Sequence, residues 1–290
     1  MTVQNEQNRI NALPLDIVLR SQWPWFLLGT AAIALAYAQV LGSLVCNWYT
    51  DENASHGFFV PLIAGYLVWK QKSELAATPV SPANSGLFVA LLAATMFLAG
   101  SLASELYSTR VSLLLALAGC VLFWLGKEAF TRLRIPLAYL IFMIPLPAIV
   151  INAIALPLKL FVSQASVAVL QLLRVPVLRE GNIINLPNLS LEVVEACSGL
   201  RSLESLLALS VAYALLLIRS PASRAALIAA AIPIAVGTNI LRVVITGLLA
   251  RQYGAVAAEG FFHEFAGFIL FGLALALLAG LHCVLRRFAP

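Results

Sequence analysis

Charged residues are scarce in this chain: Asp, Glu, Lys and Arg make up 11% of its 290 residues, while hydrophobic residues make up 61%. A soluble domain carries about 25% charged residues, so the composition excludes a soluble globular protein. The formal net charge of +5 comes mostly from short loops between apolar runs. Basic residues in such loops direct membrane topology, so they do not indicate nucleic-acid binding. The chain is predicted to be an all-α integral membrane protein whose main partner is the lipid bilayer.

Cysteine and histidine are rare as well. The four cysteines, Cys46, Cys120, Cys197 and Cys283, include no C-x-x-C pair. This spacing excludes a disulfide framework and gives no metal-ligand pattern. His263-Glu264 has no second histidine at the spacing of an H-E-x-x-H metalloprotease, which argues against a metal-dependent intramembrane protease. No metal and no cofactor are predicted.

Apolar runs of membrane-spanning character predict about eight transmembrane helices. They lie near residues 24–45, 57–69, 86–104, 111–126, 135–151, 198–218, 225–250 and 264–285. Basic residues recur in alternate gaps, which places both termini in the cytoplasm and predicts a multi-pass protein of the cytoplasmic (inner) membrane. The polar start lacks the order of a signal peptide, so the first run is predicted to stay as an anchor. Residues 1–290 are expected to form one polytopic membrane domain.

The stretch 152–174 does not fit this alternation. It is apolar but carries Pro157, Lys159 and two glutamines, and a full crossing there would put the next basic loop on the wrong side. We therefore predict an amphipathic helix at the outer interface, with a membrane crossing left open. The following residues, from Gly181 to Glu195, alternate around Pro187-Asn188 and predict a short β-hairpin before the sixth span. Together they form a predicted extracytoplasmic insertion over about 152–196.

The predicted topology brings polar residues from three distant segments to one membrane depth. Cys197 begins the sixth span on the outer side, and Arg201 follows it at i+4 on the same helix face. Asn239 and Arg242 lie in the outer half of the seventh span, and His263 starts the eighth. An arginine at a helix centre costs about 2.5–3.5 kcal/mol on insertion scales, so Arg242 is expected to face the interior. Snorkelling to the interface is the alternative for Arg242.

These residue types fit a nucleophilic site. A free thiol has a pKa near 8.5 and needs nearby positive charge to become a thiolate. His263 can accept the proton of Cys197 and deliver it to a leaving amine, and Arg242 can stabilise the oxyanion. Glu195 can orient a partner or hold Arg201. His56, at the start of the second span, reaches the same level as a supporting residue.

Simpler interpretations stand beside this one. Cys197, followed by small residues, can serve helix packing, as buried membrane cysteines commonly do. His56 can hydrogen-bond a loop. Arg242, Asn239 and His263 can instead line a polar path in a transporter or lipid-handling protein, for which Cys197→Ser would keep activity. A purely structural subunit would need none of the convergent residues.

Three motifs in order resemble the signatures of the exosortase/archaeosortase family: Glu195-Ala-Cys197-Ser-Gly199-Leu-Arg201, Asn239-Ile-Leu-Arg242 and His263-Glu-Phe-Ala-Gly267. Upstream, Ser55-His56-Gly57-Phe-Phe-Val-Pro61 is similar to the amino-terminal region of that family. The likeness covers about residues 45–285, and the set in order is more specific than any one motif.

The resemblance implies a membrane-embedded cysteine protease or transpeptidase that acts outside the cytoplasmic membrane. Its expected substrates are membrane-anchored proteins with a carboxy-terminal tail of a short motif (Pro-Glu-Pro in bacteria), a helix and a basic cluster. By this likeness Cys197 is the nucleophile, Arg242 stabilises the oxyanion or orients substrate, and His263 is the acid/base. Arg201 or Arg179 is expected to pair with the glutamate of the motif.

Overall fold

The computed structural model describes residues 13–187, 189–192, 200–254 and 261–288, and of residues 189, 200, 261–265 and 288 it describes the backbone alone. The chain divides into two compact units, Met1–Pro145 and Leu146–Pro290. They are called unit 1 and unit 2 below. Both are mostly helical. The expectation that residues 1–290 form one domain stays a prediction.

Seven helices lie in the described part of unit 1. They are α1 (Leu15–Ala36), α2 (Ala38–Thr50), α3 (Phe59–Lys70), α4 (Lys72–Ala76), α5 (Ser85–Leu102), α6 (Leu106–Trp124) and α7 (Lys127–Tyr139), with 3₁₀ helices at Ser55–Phe58 and Leu140–Met143. The α1–α2 pair bends by 65°. The bend falls at Tyr37, which is buried and whose hydroxyl lies 3.2 Å from Oγ of Ser112 on α6.

Helices α5 and α6 pack closely because glycines face each other across their interface. A Cβ built at Gly86 would lie 2.2 Å from the backbone N of Phe123 and 2.6 Å from the carbonyl O of Gly119. A Cβ at Gly119 would lie 2.8 Å from the backbone N of Ala90. In lipid, small residues of this kind let helices gain dispersion contacts at short range. The glycines therefore allow the backbones of α5 and α6 to pack closely against each other.

Helix α6 starts earlier than the span predicted at 111–126. The side chain of Glu105 caps it by accepting hydrogen bonds from the N–H groups of Tyr107 (2.8 Å) and Ser108 (2.6 Å). A capped start satisfies N–H groups that an uncapped helix end leaves unbonded. The early start places Arg110 inside the helix, where it is 3% exposed.

Unit 2 contains four helices and a small sheet in its described part. The helices are α8 (Ala148–Leu172), α9 (Leu200–Leu217), α10 (Pro221–Tyr253) and α11 (Phe261–Phe288), and the strands are β1 (Leu178–Glu180), β2 (Ile183–Leu186) and β3 (Leu189–Glu192). The strands pair antiparallel in the order β1-β2-β3. Alternate residues of β2, Ile184 and Leu186, are buried in one hydrophobic cluster with Leu170 of α8 and Val243 of α10. The predicted hairpin is thus confirmed as β2 and β3, and β1 adds a third strand.

Contacts inside unit 2 define the relative direction of its helices. Helix α8 runs parallel to α10, since Ser166 lies 3.5 Å from the carbonyl O of Ile240 and Leu170 faces Gly247. Helix α9 runs parallel to α11: Ser202 and Leu270 line one cavity, and further along both helices the Tyr213 hydroxyl bonds His282. A three-residue connection, Ile218–Ser220, separates α9 from α10, which packs against both α9 and α11.

These directions place four features at one end of unit 2, called the sheet end here. They are the sheet, the start of α9, the end of α10 and the start of α11. The β3 residue Leu191 lies beside Gly247, near the end of α10, which links the sheet to that end. The short connection between α9 and α10 lies at the opposite end.

Five described helices are long and apolar enough to cross a membrane, or up to six if the bent α1–α2 pair counts as one span. They include α5, α6, α8, α10 and most of α11. The predicted count of eight is therefore not confirmed. Helix α3, predicted as a span at 57–69, has 12 residues and is about 18 Å long, shorter than a hydrocarbon core of about 30 Å.

The span predicted at 135–151 is wrong as a continuous helix. Helix α7 ends at Tyr139, and Ile144 adopts an extended conformation (φ −93°, ψ 116°) just before Pro145. Proline disfavours the α region in the residue before it, so the two prolines at 145 and 147 separate α7 from α8. The apolar residues on both sides of the break form one hydrophobic run, so the sequence pattern did not indicate it.

The stretch 152–174, predicted as an outer interfacial helix, belongs to the 25-residue helix α8, which is long and apolar enough to span a bilayer. One face of α8 packs in unit 2, where Val162 and Leu170 are fully buried. Two of the residues that indicated an interface are compatible with this helix. Gln171 donates to the carbonyl O of Val177 at 3.4 Å, and Pro157 lies inside the helix without ending it.

Candidate active site

A small cavity lies between α9, α10 and α11 toward the sheet end of unit 2. Its polar lining comes from Ser202 of α9 and from Thr238, Asn239 and Arg242 of α10. The rest of the lining is apolar or glycine, with Gly267 of α11 beside the arginine. The cavity has room for about one water molecule. A cavity of this size is far smaller than a ligand pocket, so what it identifies is the convergence of polar side chains from α9 and α10.

Asn239 and Arg242 reach the cavity because they are i and i+3 neighbours on α10 and so share a helix face. Asn239 is 4% exposed and Arg242 is half-buried. The prediction that Arg242 faces the protein interior is consistent with this lining position. Thr238 uses its hydroxyl within the helix, bonding the carbonyl O of Ile234 at 2.9 Å. The amide of Asn239 and the guanidinium of Arg242 are therefore the polar groups that α10 offers to the cavity.

Gly267 lies directly against the guanidinium of Arg242. A Cβ built at Gly267 would lie 2.9 Å from Nη2, 3.4 Å from Cζ and 3.8 Å from Nη1 of Arg242. Real Cβ atoms essentially never approach another atom within 3.0 Å. The guanidinium thus occupies the space that any other residue at position 267 would fill.

The predicted catalytic residues Cys197 and His263 and the supporting residue Glu195 differ in how much of them the structure describes. Cys197 and Glu195 fall in 193–199, outside the described residues, and His263 lies on α11 where the backbone alone is described. The backbone of α11 nevertheless places position 263 one helical turn before Gly267, at the sheet end. Helix α9 begins there too, at Leu200, three positions after Cys197. The predicted meeting of Cys197 and His263 with Arg242 stays a prediction.

The two arginines predicted to pair with a substrate glutamate lie in different surroundings. Arg201 is half-buried at the second position of α9, next to the cavity-lining Ser202, but is not itself part of the lining. Arg179 is exposed on β1, where its Nη1 donates to the carbonyl O of Gly181 at 3.1 Å. Both lie at the sheet end of unit 2.

His56 belongs to unit 1, where it holds a loop. Its Nδ1 lies 3.1 Å from the carbonyl O of Asn53, and the backbone of Phe142 also hydrogen-bonds the ring. Burial lowers the pKa of His56, an effect that the two backbone hydrogen bonds oppose only in part. The neighbouring Trp48 fixes the same region by donating from Nε1 to the carbonyl O of Met143 at 2.8 Å. These contacts match the loop-bonding interpretation of His56, and its role toward substrate stays a prediction.

Sequence reasoning missed several polar residues within the helices. Ser202 lines the cavity, and Glu204, half-buried with a buried Oε1, follows on the same helix. Arg110 in unit 1 was placed just outside the span predicted at 111–126. A carboxylate within the apolar run 198–218 was the available signal for Glu204. The acidic cap at Glu105 was the available signal for Arg110.

The described residues contain no group of three or more His, Cys, Asp or Glu side chains placed to hold a metal ion. Among the described residues, Cys46, Cys120 and Cys283 are free thiols, and none of them is among the residues that line the cavity.

A comparison with known families identifies one that covers the residues of the three motifs. A family model described as "Transmembrane exosortase (Exosortase_EpsH)" matches residues 48–280. This range is most of the chain and contains His56, Cys197, Arg242 and His263. No curated protein and no solved structure matches the chain.

Proposed function

The chain belongs to the transmembrane exosortase family, and from this premise we propose that it is a membrane-embedded cysteine peptidase or transpeptidase. Its substrates are exported proteins that end in a short motif, a transmembrane helix and a basic cluster. It cleaves this sorting tail at the outer face of the cytoplasmic membrane. Cys197 is the nucleophile, His263 the acid/base and Arg242 the group that stabilises the oxyanion.

The observation that carries the proposal is the lining of the cavity by Arg242 and Asn239, with Gly267 of the third family motif beside the guanidinium. A cation beside a small, largely apolar cavity is weakly screened by water, so it acts strongly on charge that develops nearby. The guanidinium is held against Gly267 before any substrate arrives. Preorganisation of this kind is what electrostatic catalysis requires.

The chemistry follows from these roles. The thiolate of Cys197 attacks the carbonyl carbon of the scissile peptide, and the carbonyl oxygen becomes an oxyanion that Arg242 stabilises. The C–N bond then breaks while His263 donates a proton to the leaving amine, and a thioacyl-enzyme remains. An amine or water attacks the thioester, loses its proton to His263 and releases Cys197. Arg242 also raises the fraction of thiolate, because a nearby positive charge lowers the pKa of a cysteine.

Recognition of the substrate is proposed to use its own membrane helix. A helix in the same bilayer carries the juxtamembrane motif to one depth, and tethering raises its effective concentration there. Arg201 or Arg179, which both lie at the sheet end, pairs with the glutamate of the substrate motif. Glu195 orients a partner residue or holds Arg201. The basic cluster of the tail stays on the cytoplasmic side, as basic segments do.

The sheet end is proposed to face outward and both chain termini to face the cytoplasm. Support comes from Arg219, which lies in the short connection between α9 and α10 at the opposite end of unit 2, and from Arg224, which lies near the start of α10. Basic residues beside short loops favour the cytoplasmic face. Glu180→Cys on β1 should react with a membrane-impermeant maleimide in intact cells, whereas Ala222→Cys at the other end should react only after lysis. The reverse pattern would reverse the orientation.

The proposed activity is tested with a reporter that carries a motif–helix–basic tail, co-expressed with the wild-type protein or with Cys197→Ala. Processing by the wild type alone, with a mass change that locates the cut, supports the cysteine peptidase. Cys120→Ala and Cys283→Ala are matched controls that remove thiols outside the cavity lining, and they should process the reporter normally.

Two other outcomes are informative. Equal processing by wild type and Cys197→Ala would exclude Cys197 as the nucleophile. Loss of processing in Arg242→Ala with processing kept in Cys197→Ala would show that the cleavage needs Arg242 but not Cys197, so the proposed cysteine mechanism would be wrong. A charge swap identifies the residue that pairs with the substrate. The glutamate of the substrate motif is replaced by arginine, and this reporter is tested with Arg201→Glu and with Arg179→Glu. The pairing residue is the one whose charge reversal restores processing.

A further inference from the structure

Arg242 is long, and its reach into the cavity depends on what supports its guanidinium. Side chains with several rotatable bonds lose orientation unless neighbouring groups fix them. The three guanidinium distances to the built Cβ of Gly267, from 2.9 to 3.8 Å, show one end of the group lying directly on that glycine. No other glycine of α11, among those in the described residues, meets a side chain at this distance.

We propose that Gly267 is a positioning residue for Arg242: its missing side chain provides the space in which the guanidinium is held beside the cavity. The inference rests on the proposed function of Arg242. Gly267 has no chemistry of its own, and it acts only through the arginine. A methyl group at position 267 would displace Nη2, because the end of a flexible arginine side chain moves more easily than two packed helix backbones.

The expected result is a selective loss of catalysis. Displacing a catalytic group by about 1 Å can reduce a rate by about 100-fold, so Gly267→Ala should lower kcat for a tail peptide by about 10- to 100-fold. KM should change less than about twofold, because the oxyanion charge exists only in the transition state. Folding should be preserved, since alanine favours a helix more than glycine does.

Gly272→Ala is the matched control. Gly272 lies on the same helix, and a Cβ there would meet nothing within 4 Å. It should gain the same helix propensity as Gly267→Ala while kcat stays within about twofold of wild type. A kcat loss in both variants would assign the effect to helix α11 in general and overturn the proposal.

A double substitution separates positioning from a general packing role. In an Arg242→Ala background, Gly267→Ala should cause no further loss of kcat, because the guanidinium that it displaces is already absent. An additional loss of about tenfold or more would show that Gly267 acts independently of Arg242, which contradicts the proposal.

A readout independent of activity distinguishes failure of this inference from failure of the proposed function. The change in Tm on Gly267→Ala should be more favourable in the Arg242→Ala background than in wild type, while Gly272→Ala should shift Tm equally in both. If the wild type processes no reporter but this coupling appears, the contact is correct and the proposed activity is wrong. If the coupling is absent, Gly267 does not position Arg242.

Discussion

The hydroxyl of Tyr213 on α9 and Nδ1 of His282 on α11 lie 2.8 Å apart, and their rings meet edge to face at 87°. This contact joins two parallel helices of unit 2, far along both from the cavity. It lies near the end of unit 2 that is opposite the sheet end. Its removal should therefore affect stability without changing the site.

Tyr213→Phe is expected to lower the free energy of unfolding by about 1 kcal/mol, the usual contribution of one hydrogen bond, because the aromatic packing is kept. Reporter processing should stay at the wild-type level. Thermal unfolding in detergent, beside a processing assay, measures both. A variant with normal stability and lost processing would show that Tyr213 has a role at the site.

Glu105→Ala should destabilise unit 1 through the start of α6. Loss of a side-chain cap typically costs about 1 kcal/mol, and here two N–H groups lose their acceptor. The hydrogen bonds from Ser108 hold the pKa of Glu105 below its ordinary value of 4.5. The cap's contribution should therefore be present above pH 4.5 and be lost as the pH falls through the lowered pKa. Unfolding of wild type and variant should converge in acid; a constant difference would contradict this assignment.

A second pH dependence is expected from His56, because burial disfavours its protonated form. Burial holds its pKa below 6.5, so the unfolded chain binds the proton more readily than the folded chain. Stability should be complete above pH 6.5 and fall as the pH drops from there toward the lowered pKa. His56→Gln should show a flatter Tm profile between about pH 7.5 and about pH 5.5 than the wild type. Equal slopes in the two proteins would show that His56 does not contribute.

Substitution of Gly86 tests the α5–α6 hairpin. A methyl group there would meet backbone atoms of Phe123 and Gly119, which cannot rotate away. Gly86→Ala should cost about 1–3 kcal/mol as an overpacked contact. Gly65→Ala on α3 is the control, because a Cβ there would meet nothing within 4 Å. Similar Tm values for the two variants would mean that α5 and α6 can separate freely.

Arg110 tests whether a buried cation in unit 1 stabilises the fold. Its Nη2 lies 3.4 Å from Oγ of Ser43, and in the amide orientation that satisfies both groups Asn47 accepts from it at 3.2 Å. These two hydrogen-bond acceptors are neutral and the carboxylate of Glu105 attracts the guanidinium electrostatically, while burial of the charge is costly. Arg110→Met should keep or raise Tm because it fills similar space without the charge, whereas Arg110→Ala should lower Tm by leaving a cavity. A large loss in Arg110→Met would show that the charge itself is needed.

The membrane class, the spans at α5, α6 and α10 and the β2–β3 hairpin could be predicted because each depends on local composition or periodicity. The break at Ile144–Pro147 was hidden because its apolar residues continue the run on both sides. The packing of α8 against α10 depends on contacts about 75 residues apart, such as Ser166 with Ile240. A topology rule based on loop charges cannot detect such contacts.

The residues of the candidate site also divide into those that the local sequence predicts and those that depend on contacts between helices. Asn239 and Arg242 could be predicted because polar residues at i and i+3 in an apolar run share one face. Gly267 was recognised only as part of a motif, since its relation to Arg242 requires two antiparallel helices to be in register. Ser202 was missed because serine is common in membrane helices and carries no charge.

The three-residue connection between α9 and α10 has a consequence for how such a protein can change its target. Segments that leave the helices at the sheet end can be exchanged for longer or differently charged ones while the opposite end keeps its short turn. Such exchanges involve exposed residues such as Leu178–Glu180 of β1, whereas Ile184 and Leu186 of β2 must be kept because they are buried against α8 and α10. A chimaera built within that limit tests whether the sheet end recognises the substrate, as proposed, without altering the helices.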